Sequence, residues 1–269
     1  MRLRDLELPP EEPGPRATPD GETRTWAEAL PRLRARWEEH LRRWPPGEAE
    51  PADRAADEPG SWRGDAGQYL NAEENLVAGH ALDRVREAEP AVTRALRAVE
   101  AAVPGSRLAG LEHRLKGEAR FKEKVAAELH AKPDRPLTNI TDGVPDSLRY
   151  TFTLRPGTYS ADYHRSAGIL SEMGYELKLV RNYWQNDQYK GMNTRWIATG
   201  EQSIEIQFHT EDSFAAKQFT HTVYERLRNP VASDAERQDL YEFQSEATGL
   251  LQVPENADRI ADYRKGSPE

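Results

Sequence analysis

Cysteine is absent from all 269 residues, which removes disulfides, thiolate metal sites and cysteine nucleophiles from consideration. Long apolar runs are absent as well, since no stretch approaches the ~20 residues that span a bilayer. Apolar residues make up only 37% of the chain and charged ones 31%, so part of it is expected to lie outside any core. The opening residues, MRLRDLELPPEEPGP, lack the apolar segment of a secretory signal, and the cytoplasm is the default expectation. No H-E-x-x-H, G-x-S-x-G, phosphate-loop or G-x-G-x-x-G motif occurs. Zinc-protease, serine-hydrolase and dinucleotide readings lose their support accordingly.

What is present is unevenly charged. Residues 1–106 carry 15 basic and 21 acidic groups, residues 107–229 carry 18 and 16, and residues 230–269 carry 4 and 9. A slightly positive middle inside a protein of net charge −9 suits local recognition of phosphate groups better than a broad nucleic-acid surface.

Residues 1–23 are rich in Pro, Glu and Gly and read as disordered. From Trp26, the residues Trp26, Leu30, Leu33, Trp37, Leu41 and Trp44 recur at helical spacing, with Thr25 and Glu28 placed for a capping box and Pro31 expected to kink the helix. Residues 45–60 read as a linker, so the chain divides into an N-terminal extension, 1–60, and a main domain, 61–269. A long helix is predicted from Ala72 to Val103, capped by Asn71 and stopped by Pro104-Gly105. A strand over 107–115, a helix over 118–131, a strand over 147–154 and a helix over 159–173 follow. Strands over 175–183, 191–198 and 202–210, then helices over 212–228 and 233–250, complete an α+β pattern. The expected architecture is a mixed, mostly antiparallel sheet of about five strands flanked by helices.

The octapeptide SIEIQFHT, Ser203–Thr210, alternates so that Ile204, Ile206 and Phe208 share one face and Glu205, Gln207 and His209 the other. Upstream, Arg114, Lys116 and Lys124 surround a strand-to-helix junction, the arrangement that gathers polyphosphates at a helix N-terminus. Asp146 opens a strand that also carries Arg149. Asp146 and Glu205, from separate strands, are hard oxygen ligands of the kind Mg²⁺ takes one or two at a time. Tyr189, Lys190 and Asn193 cluster around a glycine in YKGMN, where a tyrosine can stack on a base beside a phosphate-binding lysine. Trp184 and Trp196 in the same region read as hairpin packing.

In order and spacing these pieces resemble the RelA/SpoT-type nucleotide pyrophosphokinases over roughly residues 107–229. The motifs read here as Arg114-Leu115-Lys116, Lys124, Asp146, Tyr189-Lys190-Gly191 and Glu205-Ile206-Gln207. A closer likeness, to the secreted actinomycete ATP:nucleotide 3′-pyrophosphokinases, rests on SWRGDAGQYLNAEEN, GLEHRLKGE, DSLRYT, YKGMN and QFHTEDSFAAKQFTH, and reaches back to about residue 61. The resemblance implies a synthetase fold and transfer of pyrophosphate from ATP to the 3′-hydroxyl of a purine nucleotide. It implies triphosphate binding by Arg114, Lys116 and Lys124, with Arg149 beside them, and Mg²⁺ binding by Asp146 and Glu205. Glu205 would also take the acceptor proton, and Tyr189, Lys190, Asn193, Gln207 and His209 would meet the acceptor. An alarmone synthetase and a toxin delivered to another cell are both compatible with it.

Three positions depart from the pattern: Gly117 stands for the usual serine, Asn193 for a histidine and His209 for an arginine. The last two weaken the expectation of guanine selectivity. No His-Asp dipeptide occurs, so the hydrolase of the bifunctional enzymes is not expected. The alternative readings are a pyrophosphokinase acting on the tRNA 3′ end and a non-catalytic nucleotide-binding module that uses the tryptophan-striped helix for a partner.

Overall fold

Two capping boxes start the two longest helices. Thr25 and Glu28 cap α1 (Trp26–Arg43), and Asn71 and Glu74 cap α2 (Ala72–Ala102), each pair exchanging side-chain and backbone bonds. The structure, a computed structural model, describes residues 25–45, 58–228 and 232–266. The expected disorder at 1–23 and most of the expected linker at 45–60 lie outside those residues.

The remaining elements run in chain order. They are β1 (Trp62–Arg63), β2 (Tyr69–Leu70), β3 (Arg107–Ala109), α3 (Glu118–Ala131), α4 (Leu137–Asp142), β4 (Arg149–Thr153) and α5 (Tyr159–Glu172). Then come β5 (Glu176–Asn182), β6 (Met192–Ile197), β7 (Ser203–His209), α6 (Glu211–Phe219), α7 (His221–Leu227), α8 (Asp234–Gly249) and β8 (Tyr263–Arg264). The fold is α+β. Its main sheet has six strands among the described residues, in the order β3-β4-β7-β6-β5-β8, one more than expected because the short β8 pairs with β5. Every pairing is antiparallel except β4 with β7.

The described residues form two compact units. Among the described residues, one comprises residues 25–45, 187–189 and 215–252, the other residues 58–186, 190–214 and 253–266, and the boundary falls inside α6. In the first unit, α1 buries Trp26 and Leu33 with Ala216, Val223, Leu240, Phe243 and Ala247 of the C-terminal helices. The tryptophan stripe is therefore satisfied within the chain. The helix continues through Pro31 without a break, so it does not restart there. His40 is buried there, stacked on Trp37 at 5.0 Å between ring centres, with Nδ1 2.6 Å from an oxygen of Asp239.

In the second unit, alternation sorts the sheet residues. Tyr150, Phe152, Ile204, Ile206, Phe208, Met192 and Trp196 face a core completed by Val92, Leu96 and Val99 of α2 and Tyr159, Tyr163 and Leu170 of α5. Trp184 and Trp196 are fully buried, as hairpin packing requires. The first half of α2 packs separately, with Ala78, Ala81 and Leu82 against Phe121 and Val125 of α3 and Ile140 of α4. This second cluster fixes where α3, and hence Lys124, sits relative to the sheet.

Candidate active site

The expected strand over 107–115 is broken. Gly110 adopts φ 62°, a left-handed turn that glycine takes without steric cost, and residues Leu111–His113 form a 3₁₀ turn. The chain then returns to β4 through a single bridge between Leu115 and Leu148, closed by Lys116 N to Ser147 O at 3.0 Å and Arg149 N to Arg114 O at 2.8 Å. Arg114 and Lys116 thus flank one anchored residue instead of lining a continuous strand. α3 begins immediately afterwards with Gly117 as its N-cap.

This junction delivers three groups to one point. Asp146 Oδ2 accepts from Lys116 Nζ at 2.7 Å, and Oδ1 accepts from Lys124 Nζ at 2.8 Å. Burial alone would push the Asp146 carboxyl up; the hydrogen bonds and charges of Lys116 and Lys124 outweigh it and hold it down at about 2. Asp146 is therefore an anion at any physiological pH.

Arg114 belongs to a second network. Its Nε donates to Glu89 Oε1 at 2.6 Å and its Nη1 to the Leu111 carbonyl at 2.7 Å. Glu89 also accepts from the Thr93 hydroxyl at 2.5 Å, and Thr93 lies 2.7 Å from the Tyr150 hydroxyl. Burial works against the Glu89 charge, yet the bonds from Arg114 and Thr93 leave its carboxyl below the usual range. Glu89 was not singled out from the sequence, although a signal exists. It occupies the buried stripe Val85, Glu89, Val92, Leu96 of α2, where a carboxylate requires a partner.

The parallel pairing of β4 with β7 sets the rest. Arg149 lies opposite Glu205, Thr151 opposite Gln207 and Thr153 opposite His209. On the other side of β7, Arg195 of β6 lies opposite Glu205 and Asn193 opposite Gln207. Glu205 N bonds to Leu148 O at 3.0 Å, so the glutamate sits across from the segment that begins at Asp146. Gln207 is 4% exposed and donates through Nε2 to Glu205 Oε1 at 2.6 Å.

The sequence placed His209 on the open polar face; the structure buries it completely. Its Nδ1 lies 2.9 Å from the Ser213 hydroxyl, and its ring occupies the space a side chain at Gly191 would need, 2.6 Å from where a Cβ would stand. His209 thus underpins the start of β6 and forms no part of an open wall. Lys190 donates to the Trp184 carbonyl at 2.9 Å. Tyr189 belongs to the other compact unit, with Asp187 and Gln188, whose carbonyls accept from Thr248 and Gln244 of α8.

The polar face of the sheet continues past Arg195. Leu179 of β5 pairs with Arg195 and with Arg264, and beside them a groove of about 240 Å³ is lined by Lys178, Leu179, Arg181, Arg195, Arg264 and Lys265. Glu176 pairs with Lys178 and Lys265, and Asp262 with Arg181, so the groove keeps a net positive charge.

No protein-family model and no curated protein matches this sequence. Among solved structures, the chain is similar to smu.1046c from Streptococcus mutans UA159, at 16% identity over 66% of this chain and 93% of that one, TM-score 0.47. It is similar to small alarmone synthetase 1 from Bacillus subtilis, at 13% identity over 61% and 87%, TM-score 0.43. It is also similar to a chain of the complex between the Type VI effector Tas1 and its immunity protein, at 17% identity over 67% and 97%, TM-score 0.44. Among the described residues, no helix is long and apolar enough to cross a membrane.

Proposed function

We propose that the chain transfers the pyrophosphoryl group of ATP to the 3′-hydroxyl of a purine nucleotide and releases AMP. One observation carries this reading. Two lysines converge on a partly buried, ionised aspartate beside a strand whose glutamate is held by a neighbouring amide. Lys116, Lys124 and the outer edge of Arg114, with Arg149 on the adjoining strand, would hold the triphosphate through charge-assisted bonds. Glu205 would accept the proton of the attacking hydroxyl, with Gln207 fixing its carboxylate. The new bond joins the 3′-oxygen to the β-phosphorus, and the oxygen bridging α and β departs with AMP. Such a reaction chiefly demands in-line positioning and neutralised charge, which preset cations supply.

Asp146 and Glu205 are donors of the right chemistry for Mg²⁺, which when bound would neutralise charge on the phosphates. Among the described residues no cluster of three or more His, Asp or Glu could hold a metal, so the rest of its shell would come from phosphate and water. The cationic groove along β5, β6 and β8 supports an acceptor that itself carries phosphate. Lys190 and Asn193 are proposed to meet that acceptor, and His209 to act indirectly by seating Gly191.

The test is mass analysis of products from ATP and Mg²⁺ with AMP, ADP, GDP, GTP or tRNA. The expected products are AMP and a nucleotide heavier by one pyrophosphoryl group, formed about 100-fold or more slowly by Glu205→Gln. Equal turnover by that variant would overturn the assignment of Glu205, and extension of tRNA alone would move the acceptor to RNA.

A further inference from the structure

Glu89 is a carboxylate in an apolar stripe. It lies on α2 in line with Val85, Val92, Leu96 and Val99, and its side chain is only 11% exposed. Its charge persists there because Oε1 accepts from Arg114 Nε and from the Thr93 hydroxyl. Thr93 gives its single hydrogen to Glu89, so the hydrogen shared between Thr93 and Tyr150 comes from the tyrosine, whose hydroxyl burial pushes up to about 12. The result is a directed chain of bonds, from Tyr150 on β4 through Thr93 to Glu89, met from the other side by Arg114.

Stability alone does not account for this chain. The attraction within an enclosed ion pair is offset by the hydration it loses, and apolar residues of similar volume often pack as well. What the pair supplies is direction. Nε of Arg114 is tied to α2 through Glu89, and Nη1 to the Leu111 carbonyl in the 3₁₀ turn. Two bonds from different nitrogens fix the plane of a guanidinium. Among the described residues Nη2 makes no hydrogen bond, and the side chain keeps 34% of its surface exposed, so the outer edge of the fork is presented already oriented. We propose that Glu89 is a positioning residue for the donor nucleotide. It touches no substrate and acts by holding the plane of Arg114, while Thr93 and Tyr150 hold its own carboxylate. The inference rests on the reading of Arg114 as a donor contact.

The experiment is calorimetric titration of the full chain with α,β-methylene-ATP, whose carbon bridge blocks AMP release, in excess Mg²⁺. Arg114→Met is expected to weaken binding by about tenfold or more, and Glu89→Leu by about tenfold, since an arginine free to swing loses its preset geometry. Glu89→Gln keeps an oxygen that accepts from Arg114 and should bind within about threefold of wild type. The deciding variant carries two changes. Adding Glu89→Leu to Arg114→Met should weaken binding no further, because Glu89 acts only through the guanidinium. A further loss in the double variant would show that Glu89 acts on the fold at large, and unaltered binding by Glu89→Leu would show that Arg114 needs no support. Either result overturns the inference and leaves the donor site standing. Unaltered binding by Arg114→Met, or no binding by the wild type, would instead remove the donor reading of Arg114. Thermal melting establishes that each variant is folded. If Glu89→Leu is not, Glu89→Gln and Thr93→Val, which conserve volume, are judged in its place. The inference then requires each to weaken wild-type binding at least about twofold and neither to alter binding by Arg114→Met.

Discussion

Asp146, in the turn that leads into β4, and Glu205, on β7, are two carboxylates that the chain treats differently. Asp146 is clamped by two ammonium groups and held down at about 2, whereas Glu205 accepts from the neutral amide of Gln207. A cation neutralises what it holds; an amide orients its partner and leaves the charge in place. Asp146 is thus bound up with two cations, while Glu205 receives an orienting amide on a strand flanked by Arg149 and Arg195. The proposed transfer uses both, cations that face the donor and a carboxylate held in place.

Removing the base should have the largest effect. Glu205→Gln keeps the shape and the Gln207 contact, and AMP release measured with ATP, Mg²⁺ and acceptor is expected to fall by about 100-fold or more. Residual activity within a few-fold of wild type would erase the contrast between the two carboxylates. Next come the lysines. Lys116→Met should raise the KM for ATP by about tenfold or more, and Lys124→Met by less, because Lys124 is the more exposed of the two. An equal effect at both positions would show that the enclosure of Lys116 adds nothing.

Gln207→Ala tests the amide. Its expected signature is a kcat roughly tenfold lower with little change in the KM for ATP, since it withdraws orientation from Glu205 without touching the donor cations. Acid stability probes Asp146 in turn. Its folded-state carboxyl titrates at about 2, below its ordinary value of 3.8, so its contribution to stability is complete above about 4 and is lost as the pH falls through about 2. Thermal unfolding of wild type and Asp146→Asn between pH 2 and 6 should therefore show the difference between them shrinking as the pH falls; a constant difference contradicts the ion-pair account. The smallest effect is expected at the N-cap of α3. Gly117 has φ −58°, and nothing lies within 4 Å of where a Cβ would stand, so Gly117→Ser should raise stability by a few tenths of a kcal/mol in denaturant unfolding.

Much of this was legible in the sequence, for identifiable reasons. The caps at Thr25 and Asn71 announced two helices, and the alternation of Ser203–Thr210 placed β7 and its buried face. Lys116, Lys124 and Asp146 were each picked from the sequence, and the structure brings them together. The failures have physical causes. Alternation carried the first strand through Gly110, because a single left-handed residue leaves no trace in an apolar pattern. β1, β2, β8 and α4 are too short to show a period, and β8 exists by pairing with β5. Glu89 reaches Arg114 across 25 residues of sequence, a pairing no local spacing encodes. His209 was placed on the open face because a strand pattern tells which side a residue takes and not what covers it.

The most direct measurement follows the phosphorus atoms. ATP labelled at the β-phosphorus is incubated with Mg²⁺, the full chain and a purine nucleotide acceptor, and the products are separated. Transfer of pyrophosphate predicts that the β-label appears in the acceptor product and that the AMP released carries none. A β-label retained in ADP, with only the γ-phosphoryl moved, would contradict it.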